Sequence, residues 1–241
     1  MIKRSFRLGG REDSESYFIS MTDMMVGLVF IFVILLAYYA ITFQVKSQQF
    51  EGSARARSEI LTALQQEIES ELKTKIYISE ETGILRLPER ILFKRGQSTL
   101  TSDGENSVAV VANAMAKVLP CYTEGAECLG RAKSDYRVDA IFVEGHADAA
   151  PFTNGLGFDN YNLSLQRAVT TFRRLKASNP KLDELRNLPE TQAGSARILS
   201  LSGYGPDRLI PNTDPYADVN RRIDLRFIMI SGSIDQDALL R

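Results

Sequence analysis

Asp23 is the one carboxylate inside the apolar run from Met21 to Phe43. An ionisable group at that depth costs about 2.5–3.5 kcal/mol on insertion scales, so such residues serve an ion path or bind a partner. Much further along, Glu144-Gly-His-Ala-Asp148-Ala-Ala-Pro151 precedes Asp159-Asn-Tyr-Asn-Leu-Ser-Leu-Gln-Arg167. His146 beside Asp148 invites a metal or catalytic reading, but no third ligand or nucleophile is spaced next to it. Asp148 and Arg167 could also pair with each other and brace a strand to a helix. Cys121 and Cys128 are the only cysteines. They form either a short-range disulfide, if this part of the chain is exported, or two free thiols in a surface loop. A zinc site is not expected, since His146 is the only histidine and two more ligands would be needed.

The elements that carry these residues follow from composition and periodicity. The chain has 241 residues and a formal net charge of -1, so there is no basic excess for binding nucleic acid. From Met24 to Phe43 only Gly27 and Thr42 interrupt the apolar side chains, and these twenty residues cover about 30 Å as a helix. Phe18 and Tyr39 place aromatic belts about 31 Å apart along it. A cleaved signal peptide would have an apolar stretch of only about 7–15 residues and a small-x-small site. A retained transmembrane helix over residues 17–43 is therefore expected. Lys3, Arg4, Arg7 and Arg11 precede it, and Lys46 is the only nearby basic residue after it. Positive-inside places the N-terminal tail, residues 1–16, in the cytoplasm.

Residues 44–75 read as a helical linker, with Leu61, Leu64, Ile68, Leu72 and Ile76 on a narrow apolar stripe. That stripe suits either pairing with a second copy or packing against the chain's own C-terminal domain. Short strands are expected around Ile76–Ile78 and Ile84–Leu87, flanking a Glu81-Thr82-Gly83 turn. A helix over Asp103–Leu119 opens on Thr101 or Ser102 as cap and stops at Pro120. A strand over Arg137–Glu144, a helix over Leu163–Leu175, and strands over Arg197–Leu201 and Ile223–Ile230 follow. The loops Pro120–Asp135 and Asn179–Ser195 are polar and expected on the surface. The order β-β-α-β-α-β-β specifies an α+β domain over residues 76–230, with helices on one sheet face. Residues 231–241 are a C-terminal tail.

The two motifs quoted above, with Gly203-Tyr-Gly-Pro206 and Asn220-Arg-Arg-Ile-Asp224, together resemble the OmpA-like peptidoglycan-binding domain, whose element order is β-α-β-α-β-β. The resemblance implies that Asp148 and Arg167, supported by Asn160, grip the diaminopimelate of a cell-wall peptide. A carboxylate takes an ammonium and a guanidinium fork takes a carboxylate. Ala147 stands where the family usually has Thr. Arg221 and Arg222 are expected to be structural, holding the last strand and its loop.

The long Asp148-to-Arg167 interval and one N-terminal membrane helix with an aspartate near its start resemble the MotB family of stator subunits. Ser20-Met-Thr-Asp23-Met-Met-Val-Gly27 departs from the flagellar pattern and is more similar to ZorB, the MotB-like subunit of Zorya anti-phage defence. The resemblance implies a homodimer inside a ring of five MotA- or ZorA-like multi-spanning subunits. Asp23 would carry H+ or Na+, and Gly27 one turn on would permit close helix approach. It also implies a bacterial inner-membrane location with the C-terminal domain in the periplasm, no enzymatic activity and no cofactor beyond the translocated ion. A flagellar-type stator, a passive OmpA-like wall anchor and a TolR- or ExbD-like energiser are the alternatives.

Overall fold

The computed structural model describes residues 12–130, 132–153 and 157–230, with the backbone alone for 12–20. Lys3, Arg4, Arg7, Arg11 and the tail 231–241 lie outside the described residues, as do the side chains of Tyr17 and Phe18. The chain divides into two units, Met1–Gln48 and Gln49–Arg241.

Helix α1 runs over Glu12–Leu72. In the first unit its residues 21–40 are all exposed, and it is the one described helix long and apolar enough to cross a membrane. Unpaired apolar surface of that length needs a lipid or protein cover.

The rest of α1 belongs to the second unit and has an unlike surface. Ile60, Leu61, Leu64 and Ile68 are fully buried and join the core of the domain. Of the two uses open to the apolar stripe, the structure adopts the intramolecular one. Burying each such side chain contributes about 1.5–3 kcal/mol. Polar contacts fix the register: Lys117 Nζ is 2.7 Å from Glu67, and Arg57 donates to the Glu81 carbonyl at 2.9 Å.

Five strands form one mixed sheet: β1 (Tyr77–Ser79), β2 (Ile84–Pro88), β3 (Val138–His146), β4 (Leu199–Gly203) and β5 (Arg222–Met229). Their order is β1-β2-β5-β3-β4, and only β3 and β4 run parallel. That parallel pair needs a crossover, supplied by the long helix Asn160–Ser178. The last strand enters the middle of the sheet, antiparallel to both β2 and β3.

Three helices accompany this sheet: α2 (Glu89–Leu92), α3 (Ser102–Val118) and α4, the crossover. Thr101 caps α3 by accepting from Gly104 N at 3.0 Å, and Asp159 caps α4 by accepting from Asn162 N at 3.0 Å. Helix α4 starts three residues earlier than its apolar period shows, because the cap lies outside that period. Alternation along β5 puts Ile223, Leu225 and Phe227 in the core and turns Arg222, Asp224 and Arg226 to the other face.

The two loop insertions lie largely on the surface, as expected, but a few of their residues are anchored in the domain. Glu124 and Arg186 exchange backbone hydrogen bonds of 2.8 and 2.9 Å, which ties one loop to the other. Tyr122, Leu182 and Leu185 are buried beneath them. Their few apolar residues are spaced irregularly, so no period announced the burial. Cys121 and Cys128 are joined by a disulfide within the first insertion.

Candidate ligand cleft and buried ion network

Asp148 leaves the end of β3, and backbone bonds hold its neighbours: Ala147 N to the Gly205 carbonyl (2.8 Å) and Ala149 N to the Pro215 carbonyl (2.9 Å). Arg167 comes from the third turn of α4. The helix can reach β3 because residue 145 is Gly: a Cβ there would stand 2.0 Å from the Ser164 carbonyl oxygen. Asn160, at the start of α4, donates to the Ala150 carbonyl at 2.8 Å and ties the loop to the helix.

Asp148, Asn160 and Arg167 line one small cleft of about 90 Å³. Asp148 and Arg167 are not paired with each other. Asp148 Oδ2 is held by Arg221 Nη1 at 2.5 Å, and its Oδ1 accepts from Ala150 N at 3.2 Å. Arg167 donates through Nη2 to Glu89 at 2.6 Å and through Nε to the Gln97 carbonyl at 2.8 Å, with its guanidinium 5.4 Å from the Phe93 ring centre. Glu89 Oε2 lies 2.9 Å from Arg221 Nε, which closes the chain Asp148–Arg221–Glu89–Arg167.

Two carboxylates and two guanidiniums thus neutralise one another, which is what burial of charge demands. Arg167 is only 2% exposed. Burial lowers its pKa against the pull of Glu89, though not enough to neutralise a guanidinium. Burial likewise raises the Glu89 pKa, opposed by Arg167 and Arg221. Burial tends to lower the Arg221 pKa, and its hydrogen bonds to Asp148 and Asp218 outweigh that, leaving it raised.

Asp148 and Arg167, which both line the cleft, keep unused hydrogen-bonding valence. A carboxylate accepts at about four sites, and Asp148 fills two of them. Arg167 Nη1 makes no hydrogen bond among the described residues. The arrangement can therefore take an ammonium at Asp148 and a carboxylate at Arg167. Sequence reading missed Glu89; Arg221, expected to be structural, braces Asp148 and Glu89. Nothing in the local pattern of residue 89 marks it, because its partners are 78 positions away or more.

His146 sits in a second buried group. Glu144 and Asp224 flank it, and the three could present metal-ligand atoms within 4.8 Å of one another. Sequence reading looked for a third ligand beside Asp148. The companions are instead Glu144, two residues back on the same face, and Asp224 on the neighbouring strand. Both carboxylates are already engaged: Arg226 grips Glu144 at 2.8 and 2.9 Å, while Arg222 and Arg86 hold Asp224 at 2.8 and 3.0 Å. Three guanidiniums against two carboxylates leave positive charge here, which repels a divalent cation. Burial lowers the His146 pKa, so the ring is neutral near pH 7 and stacks on Tyr204. Burial alone would raise the Glu144 pKa, but the His146 ring 3.7 Å away and the two hydrogen bonds from Arg226 carry it down to about 2.

Asp23 lies in the first unit, on the exposed helix surface. One turn on, nothing stands within 4 Å of where a Cβ on Gly27 would be.

No protein-family model matches the chain, and no curated protein matches it. Among solved structures, it is similar to the periplasmic domain of Helicobacter pylori MotB at 20% identity, covering 65% of this chain and 77% of that one, TM-score 0.40. A MotB-like protein from Desulfovibrio vulgaris matches at 19% identity over 73% of this chain and 96% of that one, TM-score 0.43. The cell wall anchor of the type VI secretion system from Pseudomonas aeruginosa matches at 14% identity over 68% and 94%, TM-score 0.43. At these levels the likenesses carry no functional weight, and the reading of the site stands on the chain's own residues.

Proposed function

We propose that this chain is a wall-anchored stator subunit of an ion-driven membrane motor. The supporting observation is a pairing of two chemistries in one chain. A lone carboxylate, Asp23, lies in an apolar helix long enough to cross a membrane, and a separate folded unit carries the charged cleft of Asp148, Asn160 and Arg167. A passive anchor has use for the cleft but none for Asp23. The cleft binds the zwitterionic end of a wall-peptide diaminopimelate: its ammonium shares Asp148 with Arg221, and its carboxylate takes the free edge of Arg167. Asp23 loads and releases H+ or Na+ where the helix meets its partner.

In this reading two copies stand within a ring of five MotA-like subunits in a bacterial inner membrane. The N-terminus is cytoplasmic and the cleft periplasmic. The sequence around Asp23 favours the Zorya anti-phage machine and its ZorB subunit over flagellar motility. Asp23→Asn tests the motor, since it keeps shape and removes the charge. We expect the variant to insert and to co-purify with a multi-spanning partner, while anti-phage protection in cells is abolished. Undiminished protection would sink the ion-path role. Loss of the protein from the membrane would mean that Asp23 is structural.

A further inference from the structure

His146 is 1% exposed, and neither of its ring nitrogens reaches a hydrogen-bond partner among the described residues. A buried polar group left this way is costly and calls for a reason beyond packing. Its surroundings are charged. Glu144 on β3 and Asp224 on β5 lie 3.7 and 3.6 Å from Nε2, and their guanidinium partners are Arg222 and Arg226 from β5 and Arg86 from β2. Tyr204, from the turn after β4, stacks on the ring, and the Arg208 guanidinium lies 3.7 Å from the Tyr204 ring centre. The imidazole thus has two carboxylates just out of reach, which its protonated form would draw in.

This group and the cleft hang on one loop. Asp224 Oδ2, 3.6 Å from His146, is the oxygen that Arg222 Nε holds at 2.8 Å. Arg222 also donates to the Asn220 and Arg208 carbonyls at 3.2 and 3.0 Å, so it fastens the segment between β4 and β5. That segment bonds to both neighbours of Asp148, through the Gly205 and Pro215 carbonyls, and Arg221, next to Arg222, holds Asp148 itself. A proton on His146 sets a fourth cation against two carboxylates and makes it compete with Arg222 for one oxygen.

We propose that protonation of His146 loosens the cleft, so that the domain grips its zwitterionic ligand at neutral pH and releases it as the pH falls. The inference rests on the wall-binding reading of Asp148 and Arg167 and adds its regulation. His146 is a positioning residue here: it acts through Asp224, Arg222 and the loop, and does not touch the ligand. Burial holds the imidazole pKa below its ordinary 6.5, so the charge arrives only under acid.

His146 is the only histidine in the chain, so a single imidazole resonance reports its protonation. The test is an NMR pH titration of the full chain in detergent micelles, labelled with carbon-13 at histidine Cε1, without and with saturating meso-diaminopimelate. Linkage is reciprocal: if the protonated form binds roughly fivefold more weakly, the ligand must lower the His146 pKa by about 0.7. That downward shift is the expected result. Calorimetry gives the other half, with diaminopimelate affinity lower at pH 5 than at pH 7. His146→Gln should flatten that profile, and the slope it keeps belongs to Glu89, whose pKa burial raises above 4.5. A ligand that binds yet leaves the imidazole pKa unmoved, or raises it, overturns the coupling and leaves the cleft standing. A slope undiminished in His146→Gln overturns it too. If diaminopimelate binds at neither pH, the cleft reading falls and the coupling falls with it.

Discussion

Arg221 Nη1 stands 2.5 Å from Asp148 Oδ2, and its Nε stands 2.9 Å from Glu89, the carboxylate that grips Arg167. One guanidinium from the approach to the last strand therefore links both halves of the cleft. Asp148 and Arg167 do not neutralise each other across it. Each lines the cleft while held by a partner of its own, and on the proposed wall-binding function this is preorganisation for a zwitterion.

Removing that link unpins the cleft. Arg221→Ala leaves Asp148 buried without its guanidinium and Glu89 with one partner fewer. We expect a stability loss of about 1–3 kcal/mol, seen as a lower urea midpoint, and weaker sedimentation with peptidoglycan sacculi. Arg221→Lys restores the charge but not the fork, so it should recover stability more than binding.

Gly145→Ala tests the close approach of α4. The new Cβ would stand 2.0 Å from the Ser164 backbone oxygen, and backbone cannot swing aside as a side chain can. A loss of about 1–3 kcal/mol is expected from overpacking. Sacculus binding should fall further than stability alone explains, because Arg167 rides on the displaced helix.

The stripe on the second part of α1 makes a prediction of its own. Leu64→Ala should destabilise the domain by about 2–5 kcal/mol, the range for a fully buried Leu. Were the stripe only a dimer seam, thermal unfolding of the monomeric domain would not change.

The face opposite the helices governs acid stability. Glu144 titrates near 2 in the folded protein against 4.5 when unfolded. The unfolded chain therefore binds more protons in that window, and stability falls as pH drops from about 4.5 to 2, by about 3 kcal/mol. His146, whose pKa lies below its ordinary 6.5, acts in the same sense at higher pH, beginning as pH falls through 6.5. Glu89 has a raised pKa and acts oppositely, losing stability as pH rises above 4.5. Urea unfolding of Glu144→Gln across pH 2–5 isolates the first of these: the variant's profile should be flatter than the wild type's.

The Cys121–Cys128 disulfide closes a short loop, with a sequence separation of 7. Reduction should lower stability by about 2 kcal/mol on the chain-entropy account. Thermal unfolding with and without reductant measures it, and an unchanged midpoint would mean the loop's other contacts suffice.

Wherever structure obeys a local rule, the sequence was enough. The run from Met24 to Phe43, the alternation along β3 and β5, the period of α3 and α4 and the Thr101 cap all depend on neighbours within a few residues. So does the order of the strands along the chain. The spacing of Asp148, Asn160 and Arg167 also placed them together, since they flank a single strand-to-helix connection.

Tertiary structure alone decided what backs them. Strand β5 comes last yet pairs between β2 and β3, which carries Arg221 to Asp148 and sets Asp224 opposite Glu144. Glu89 reaches Arg167 from the start of α2, 78 positions earlier in the chain. The stripe on α1 had two outlets of equal local merit, and the choice fell to the domain core. Such pairings join residues tens of positions apart, where periodicity and propensity are silent. They are set by the burial of one shared core and by the need of each buried charge for a partner.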